Sequence, residues 1–174
     1  VPASTPLGDT AVSPSPSTTD GPMLPPALSA GRAGPPPLEQ VQQRHPDQVA
    51  MSVAAELYSF DAAVDHETAP AQRAAYLLTP SLATALATPA ADGPSADWQV
   101  WSYRHDWSSL TVEITELPWA LPADTGVSAT RVVELRRDIH DAERVTSQPP
   151  VTLQITLARV ADTATWKVGR IEVP

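Results

Sequence analysis

The stretch that decides the fold is the end of the chain, Pro150-Val-Thr-Leu-Gln-Ile-Thr-Leu-Ala-Arg-Val160, followed after a short polar turn by Thr165-Trp-Lys-Val-Gly-Arg-Ile-Glu-Val173. Apolar side chains occupy every second position of the first run: Val151, Leu153, Ile155 and Leu157. A period of two is typical of a strand with one buried face, so the two runs predict an antiparallel hairpin. The apolar register of the second run changes near Gly169, which predicts a bulge or bend. We expect this hairpin to be the central strand pair of a sheet, with Trp166 turned towards the helices.

The composition excludes several classes of protein. The 174 residues include no cysteine, which excludes disulfide frameworks, thiol catalysis and cysteine-ligated zinc. A formal net charge of −9 disfavours nucleic-acid partners, because nothing would attract a phosphate backbone. The sequence has no apolar run of about 18 residues and starts with Val, so we expect a piece of a longer or processed protein.

The N-terminal part of the chain is rich in proline. Residues 1–44 carry ten of the 20 prolines, with Ser, Thr, Ala and Gly between them. Such a segment buries too little apolar surface to offset its ordering entropy. We expect a disordered linker over 1–44, either a spacer or a tail without mechanical duty, and a folded domain over 45–174.

Three helices are predicted at the start of that domain. Val49, Val53, Leu57, Phe60 and Val64 recur at helical spacing, which predicts one face of a long helix from about 46 to 64. Thr68 is placed to cap a short second helix that runs to about Leu78. Thr79-Pro80 repeats this signal for a third helix that ends near Ala87.

After Asp97 the period changes from about 3.6 to two, which predicts strands. The first predicted strand has Trp101, Tyr103, His105 and Trp107 on one face, and the second runs from Leu110 to Ile114. A third is predicted from Thr130 to Ile139, and the final hairpin completes five. The sequence therefore predicts an α+β fold with one long and two short helices packed on a strongly curved antiparallel sheet of four to five strands.

Three segments carry a resemblance to a known fold family. They are Ala54-Ala-Glu-Leu-Tyr-Ser-Phe-Asp61, Arg73-Ala-Ala-Tyr-Leu-Leu-Thr-Pro80 and Trp166-Lys-Val-Gly-Arg-Ile-Glu-Val173. In the predicted order of elements, they resemble extracytoplasmic actinobacterial members of the nuclear-transport-factor-two-like, or cystatin-like, cone fold. Two branches share these features: TcpC-like conjugation proteins, related to type IV secretion scaffolds, and Mce-associated membrane proteins. The resemblance covers about residues 46–173, and its motifs are structural.

Aromatic residues are the main candidates for a site. We take five residues as a possible pocket or interface: Trp101, Tyr103, His105, Trp107 and Trp166. They could line a cone pocket for an apolar ligand or anchor an interface, or they could simply fill the space between helices and sheet.

Titratable residues give weaker signals. Cone-fold enzymes use an Asp/His pair, but neighbours such as His105 and Asp106 point to opposite faces of a strand. His66 among Asp61, Asp65 and Glu67 fits a solvated helix end better than a metal site. His140 lacks a nucleophile motif. We therefore predict no catalytic residue, cofactor or metal.

Four arginines of the third predicted strand and the following loop form a local basic cluster: Arg131, Arg136, Arg137 and Arg144. They could meet an acidic partner, but we expect internal pairing with Glu134, Glu143 and Asp138.

The resemblance implies a non-enzymatic scaffold domain of a membrane-anchored conjugation or type IV secretion component. It would lie outside the cytoplasm, held by an anchor outside this sequence, and act through protein partners and self-association. Two alternatives remain: a lipid-import accessory protein of the Mce-associated type, and an apolar-ligand binder or isomerase-like enzyme with His105 or Asp106 as base.

Overall fold

The protein is an α+β structure whose helices pack on an antiparallel sheet, as the sequence predicts. The computed structural model describes residues 24–36, 42–117, 119–161 and 164–174. These residues form four α-helices: α1 (Pro46–Tyr58), α2 (Ala69–Ala74), α3 (Pro80–Ala87) and α4 (Ala96–Arg104). The same described ranges form six strands: β1 (Leu28–Ala30), β2 (Trp107–Thr115), β3 (Ser128–His140), β4 (Val145–Ser147), β5 (Val151–Ala158) and β6 (Lys167–Glu172). Among these described residues, no helix is long and apolar enough to cross a membrane.

The sheet is arranged around β3. Its strand order is β1-β2-β3-β5-β6, with every neighbouring pair antiparallel, and β4 pairs with the end of β3 beyond β5. The prediction that the final hairpin is the central strand pair is therefore wrong, because β6 lies at an edge of the sheet. The physical reason is length: the thirteen residues of β3 can pair with β2 on one side and with both β4 and β5 on the other.

Helix α1 covers one face of this sheet. Val49 and Val53 are fully buried and pack into the main apolar core with Leu135 and Leu153 of the sheet. The helix ends at Tyr58, six residues earlier than predicted, and Val64 is 81% exposed.

A local turn explains this early end. The Asp61 side chain accepts a hydrogen bond from the Ala63 backbone N–H, and such local bonds compete with helix formation. The predicted third helix, in contrast, is confirmed as α3, from Pro80 to Ala87.

The first predicted strand is wrong in most of its length, because residues 96–104 form α4. The Ser95 hydroxyl accepts a hydrogen bond from the Trp98 backbone N–H, and Asp97 lies in the first turn, both of which favour a helix start. Trp98 and Trp101, three residues apart, lie on the inner face of this helix. The alternation of aromatic residues misled the prediction, and β2 begins only at Trp107.

The predicted bulge in the final hairpin is confirmed. Thr156 pairs with Arg170 and Leu157 pairs with Val168, so that Gly169 is the extra residue of β6. Trp166 is 3% exposed and lies in the core. Its backbone N–H donates to the Gln43 carbonyl and its ring N–H to the Arg44 carbonyl.

Part of the N-terminal segment is folded. Residues 28–30 form β1, which pairs with Leu110–Val112 of β2, and Ala30 is buried. The prediction of a disordered linker over 1–44 therefore does not hold for this strand, because a backbone edge of β2 offers hydrogen bonds that composition does not reveal. Residues 1–23 and 37–41 lie outside the described residues.

Candidate functional site

An aromatic cluster fixes α4 against the rest of the fold. The Phe60 ring stacks on Trp101 with centroids 4.7 Å apart, and it meets Trp98 edge-on at 5.5 Å. Trp98 is buried together with Ile139 of β3 in a small second core. Because large aromatic contacts lock side chains in place, the exposed side of Trp101 is held in a defined position.

Arg137 of β3 lies against this cluster. Its guanidinium carbon is 5.5 Å from the ring centroid of Trp101 and 5.8 Å from that of Tyr58, at the end of α1. We call the arrangement of Tyr58, Trp101 and Arg137 the Arg137 cradle. Arg137 occurs between Leu135 and Ile139, which are buried on the helix side of the sheet, so it takes a position that an apolar residue would otherwise fill.

The guanidinium of the Arg137 cradle is not neutralised by a neighbour. Its Nε atom is buried and has no hydrogen-bond partner, and no carboxylate of the described ranges forms an ion pair with it. Burial lowers the pKa of Arg137, while Tyr58 and Asp97 act in the opposite direction. Burial likewise raises the pKa of Tyr58, and the Arg137 charge opposes that rise. An arginine stays protonated under any physiological condition, so the cradle holds a permanent cation.

A break in the sheet lies directly beside Arg137. Leu135 pairs with Val151 and Asp138 with Ser147. The two paired positions are therefore three residues apart on β3 but four residues apart on the segment that joins β4 to β5. The Arg137 carbonyl accepts a hydrogen bond from the Gln148 N–H, and two prolines follow. Irregular pairing of this kind redirects side chains and occurs often beside functional sites.

An apolar groove opens next to the cradle, between the helices and the last two strands. Its volume is about 370 Å³ and its lining includes Leu57, Tyr58, Pro70, Leu86, Leu153 and Ile171. We call it the helix–sheet groove. This volume lies near the lower end of the range of roughly 300–1,000 Å³ for ligand sites. Tyr58 belongs to both the groove and the Arg137 cradle, so the two features adjoin.

The five residues predicted as a possible pocket or interface occupy different places. Trp101 belongs to the Arg137 cradle, whereas Tyr103 is 87% exposed on α4 and Trp166 is buried beneath Arg159, 4.4 Å from its guanidinium. Trp107 stacks on His140 at 3.8 Å on the other face of the sheet. His105 is exposed and ends α4 in the left-handed conformation. The structure thus brings one of the five to the candidate site.

The His105-Asp106 pair lies at the junction of α4 and β2. Asp106 is 2% exposed, its backbone N–H donates to the Trp101 carbonyl, and its carbonyl accepts from the Ala62 N–H. Its carboxylate Oδ1 is buried without a partner, and burial raises the pKa of Asp106. Neither residue belongs to the lining of the helix–sheet groove.

A contact between Ser109 and His140 was missed by sequence reasoning. The Ser109 hydroxyl and His140 Nε2 are 2.7 Å apart on the polar face of the sheet. The signal was available in the strand pattern, since Trp107 and Ser109 of β2 share the face on which His140 lies opposite Trp107. No carboxylate in the described part of the chain bonds the other ring nitrogen, so the pair lacks the orienting group of a catalytic triad.

The acidic residues near His66 have structural partners. Arg73 donates to Glu56 (3.2 Å), to Asp65 (2.8 Å) and to the Ser59 carbonyl (2.9 Å), which ties α2 to the end of α1. Burial raises the pKa of Glu56, and Arg73 opposes this effect. Within the residues that the structure covers, no group of three or more His, Cys, Asp or Glu could hold a metal ion.

Three of the four clustered arginines pair within the chain, as predicted. Arg136 pairs with Glu134 at 2.7 Å, Arg144 with Asp141 at 3.1 Å, and Arg131 with Asp47 and Asp124. Three partners differ from the prediction: Asp141 in the loop after β3, and Asp47 and Asp124, which come from α1 and a loop that only the fold brings close. Arg137 alone of these four stays without an acidic partner among the described residues.

No protein-family model, no curated protein and no solved structure matches this chain.

Proposed function

We propose that this chain is a non-enzymatic scaffold domain of a membrane-anchored conjugation or type IV secretion component. It lies outside the cytoplasm and acts through protein–protein contacts, including self-association. The observation that carries the proposal is the outer face of α4. Val100 is 46% exposed and Tyr103 is 87% exposed, three residues apart on one helix face.

The construction of α4 supports this assignment. The aromatic cluster with Phe60 fixes the inner face, so Val100 and Tyr103 are presented on a rigid element rather than on a mobile loop. An exposed tyrosine beside an apolar residue is typical of interface hot spots, because the ring supplies a large contact area at low entropic cost. The partner that fits this face is another protein of the assembly or a second copy of the chain.

The cone-like curvature of the sheet is part of the same proposal. Two irregularities support it: the bulge at Gly169 and the break at residues 148–150. Each adds a residue to one strand only, and such additions bend a sheet and increase its twist.

A co-purification experiment tests the scaffold proposal. Tyr103→Ala in the full-length protein should weaken self-association or recovery of envelope partners by about tenfold or more, the effect of losing one hot spot. Trp119→Ala is the matched control, because Trp119 is an aromatic residue that is 54% exposed on a loop. Equal losses in both variants, or a cytosolic and strictly monomeric protein without a secretion partner, would contradict the proposal.

A second candidate function is that of a lipid-import accessory protein of the Mce-associated type. The helix–sheet groove favours it, because apolar residues such as Leu57, Leu153 and Ile171 form a site of about 370 Å³ that could hold an apolar chain. The two candidates use different surfaces, so they can be tested separately.

A further inference from the structure

We infer that the Arg137 cradle binds the oxyanion head of an amphiphile whose apolar tail lies in the helix–sheet groove. The ligand class is a carboxylate or phosphate monoester on an alkyl chain. The inference rests on the second candidate function, the binding of an apolar chain in the groove, and goes beyond it by naming the charged group and the residue that recognises it.

Arg137 has no acidic partner in the part of the chain that the structure describes. A buried charge is costly unless it is paired and hydrogen-bonded. Arg131, whose side chain is 19% exposed, follows this rule, since it pairs with Asp47 and Asp124. Arg137 is more enclosed than Arg136, yet its buried Nε donates to nothing in the described ranges. An unsatisfied cation in this position is expected where a ligand completes the pairing.

The geometry of the cradle leaves the N–H groups of Arg137 free of the two rings. Tyr58 and Trp101 both contact the guanidinium through their rings, at 5.8 and 5.5 Å. Ring contacts attract the cation but accept none of its in-plane N–H groups. Those donors form a planar fork that matches the two oxygens of a carboxylate or phosphate. The rings thus position the fork and leave it available to an oxyanion.

Tyr58 joins the cradle to the groove. Its ring contacts Arg137 and it also lines the helix–sheet groove, so the two features share this side chain. The two carboxylates at the groove have their own partners: Glu67 accepts from the Ser95 N–H and Glu172 pairs with Arg170. Arg137 is therefore the cation available to a bound head group among these charges.

The charge of the chain and the apolar groove favour an amphiphile over a free anion. The chain carries a net charge of −9, which repels small anions from the surface as a whole. The adjoining groove is lined mainly by apolar side chains, and burial of an alkyl chain there is favourable. An amphiphile gains both the charge interaction with Arg137 and the burial of its alkyl chain. Acetate or inorganic phosphate gains only the charge interaction.

Titration of the full chain with matched alkyl ligands tests the inference, with tryptophan fluorescence and calorimetry as readouts. Dodecanoate should bind about tenfold or more tightly than dodecanol, and acetate should not bind detectably. Dodecyl phosphate used beside dodecanoate identifies the preferred head group, and tight binding of either one supports the inference. Because Trp101 is part of the cradle, head-group binding should change the fluorescence.

Two substitutions of adjacent arginines give the decisive comparison. Arg137→Gln should remove the advantage of dodecanoate over dodecanol, while Arg136→Gln should retain it, because Arg136 is exposed and pairs with Glu134. If the Gln variant folds poorly, Arg137→Lys keeps the charge without the planar fork and should weaken dodecanoate binding several-fold.

The possible failures are distinguishable. Equal binding of dodecanoate and dodecanol, or an unchanged advantage in Arg137→Gln, would overturn the Arg137 inference and leave the groove as a site for apolar chains. Failure of every alkyl ligand to bind would overturn both. Neither outcome bears on α4, whose contacts are tested through Tyr103.

Discussion

At the scale of single residues, two charged side chains in the described part of the chain each have one buried atom without a hydrogen-bond partner. Asp106 Oδ1 and Arg137 Nε are both buried without a hydrogen bond, whereas the buried Glu56 pairs with Arg73. Since unsatisfied buried polar atoms each cost about 1–3 kcal/mol, these two positions reduce the stability of the folded state. Arg137 has a proposed ligand, but the groove does not explain Asp106.

The stability of the protein should depend on pH through Asp106. Burial raises the folded-state pKa of Asp106 above its ordinary value of 3.8, so the native state binds a proton that the unfolded chain does not. This group's contribution to stability is therefore lowest at neutral pH, grows as pH falls through the folded pKa, and is complete below the unfolded pKa.

Asp106→Asn removes this titration. At neutral pH the variant should have a larger free energy of unfolding than the wild type. This difference should shrink as the pH falls towards about 4. Urea denaturation at both conditions measures the difference. Asp92→Asn, on an exposed loop, is the control for the chemical change itself. A constant difference between variant and wild type across this range would contradict the raised pKa.

At the scale of elements, secondary structure was predicted correctly where the sequence carried one signal and no second signal for another structure. The alternation in β5 has no helical interpretation, and Thr79-Pro80 marks the start of α3 within one residue. Residues 96–104 carry two patterns at once. The aromatic alternation favoured a strand, but the Ser95 cap and the 98/101 spacing favoured a helix. Packing of both tryptophans against Phe60 decided for the helix.

The bulge of β6 gives a prediction at this scale. A methyl group on Gly169 would meet the Thr79 methyl at 3.6 Å, an ordinary contact, and its backbone is not left-handed. Gly169→Ala should therefore be neutral or stabilise the protein by about 0.4–1 kcal/mol. Gly169→Val adds three carbons beside Thr79, two more than alanine, and should cost about 1–3 kcal/mol.

Thermal unfolding distinguishes these outcomes, and Gly93 supplies the contrast. Gly93 has open space around it but a φ of +86°, so Gly93→Ala should destabilise by about 1 kcal/mol through backbone strain alone. A large loss of stability in Gly169→Ala would mean that the bulge requires glycine itself.

At the scale of the whole molecule, the N-terminal segment completes the sheet. Strand β1 pairs with Leu110–Val112 of β2, and Arg32 pairs with Asp61 at 2.8 Å. These residues belong to the folded unit although their proline-rich composition differs from that of the domain. Composition could not reveal this, because a three-residue strand with proline nearby has no periodicity to detect.

Deletion of residues 1–36 should lower the stability by roughly 2–4 kcal/mol, because it removes the buried Ala30 and the Arg32–Asp61 pair and exposes the edge of β2. The open edge should also promote association, which sedimentation would detect. Deletion of residues 1–23 removes no described contact and serves as the control. Equal stability of the two shortened chains would show that β1 contributes little.

The candidate site was only partly within reach of the sequence. The third predicted strand placed Val133, Leu135 and Ile139 on one face, and Arg137 falls in that same series. A charged residue in an apolar series marks a special position and could have been selected. That Tyr58 and Trp101 would meet it could not, because α1 and α4 are joined to β3 only through tertiary packing.

Trp166 has a consequence for the order of folding. Its ring N–H bonds the Arg44 carbonyl across 122 positions of the chain, and its indole fills the core under α1. Contacts between such distant positions require closure of a very long loop, and folds rich in them form slowly. The core of this protein therefore cannot close until Trp166 has left the ribosome, and until then the apolar side of α1 lacks a partner that is synthesised much later.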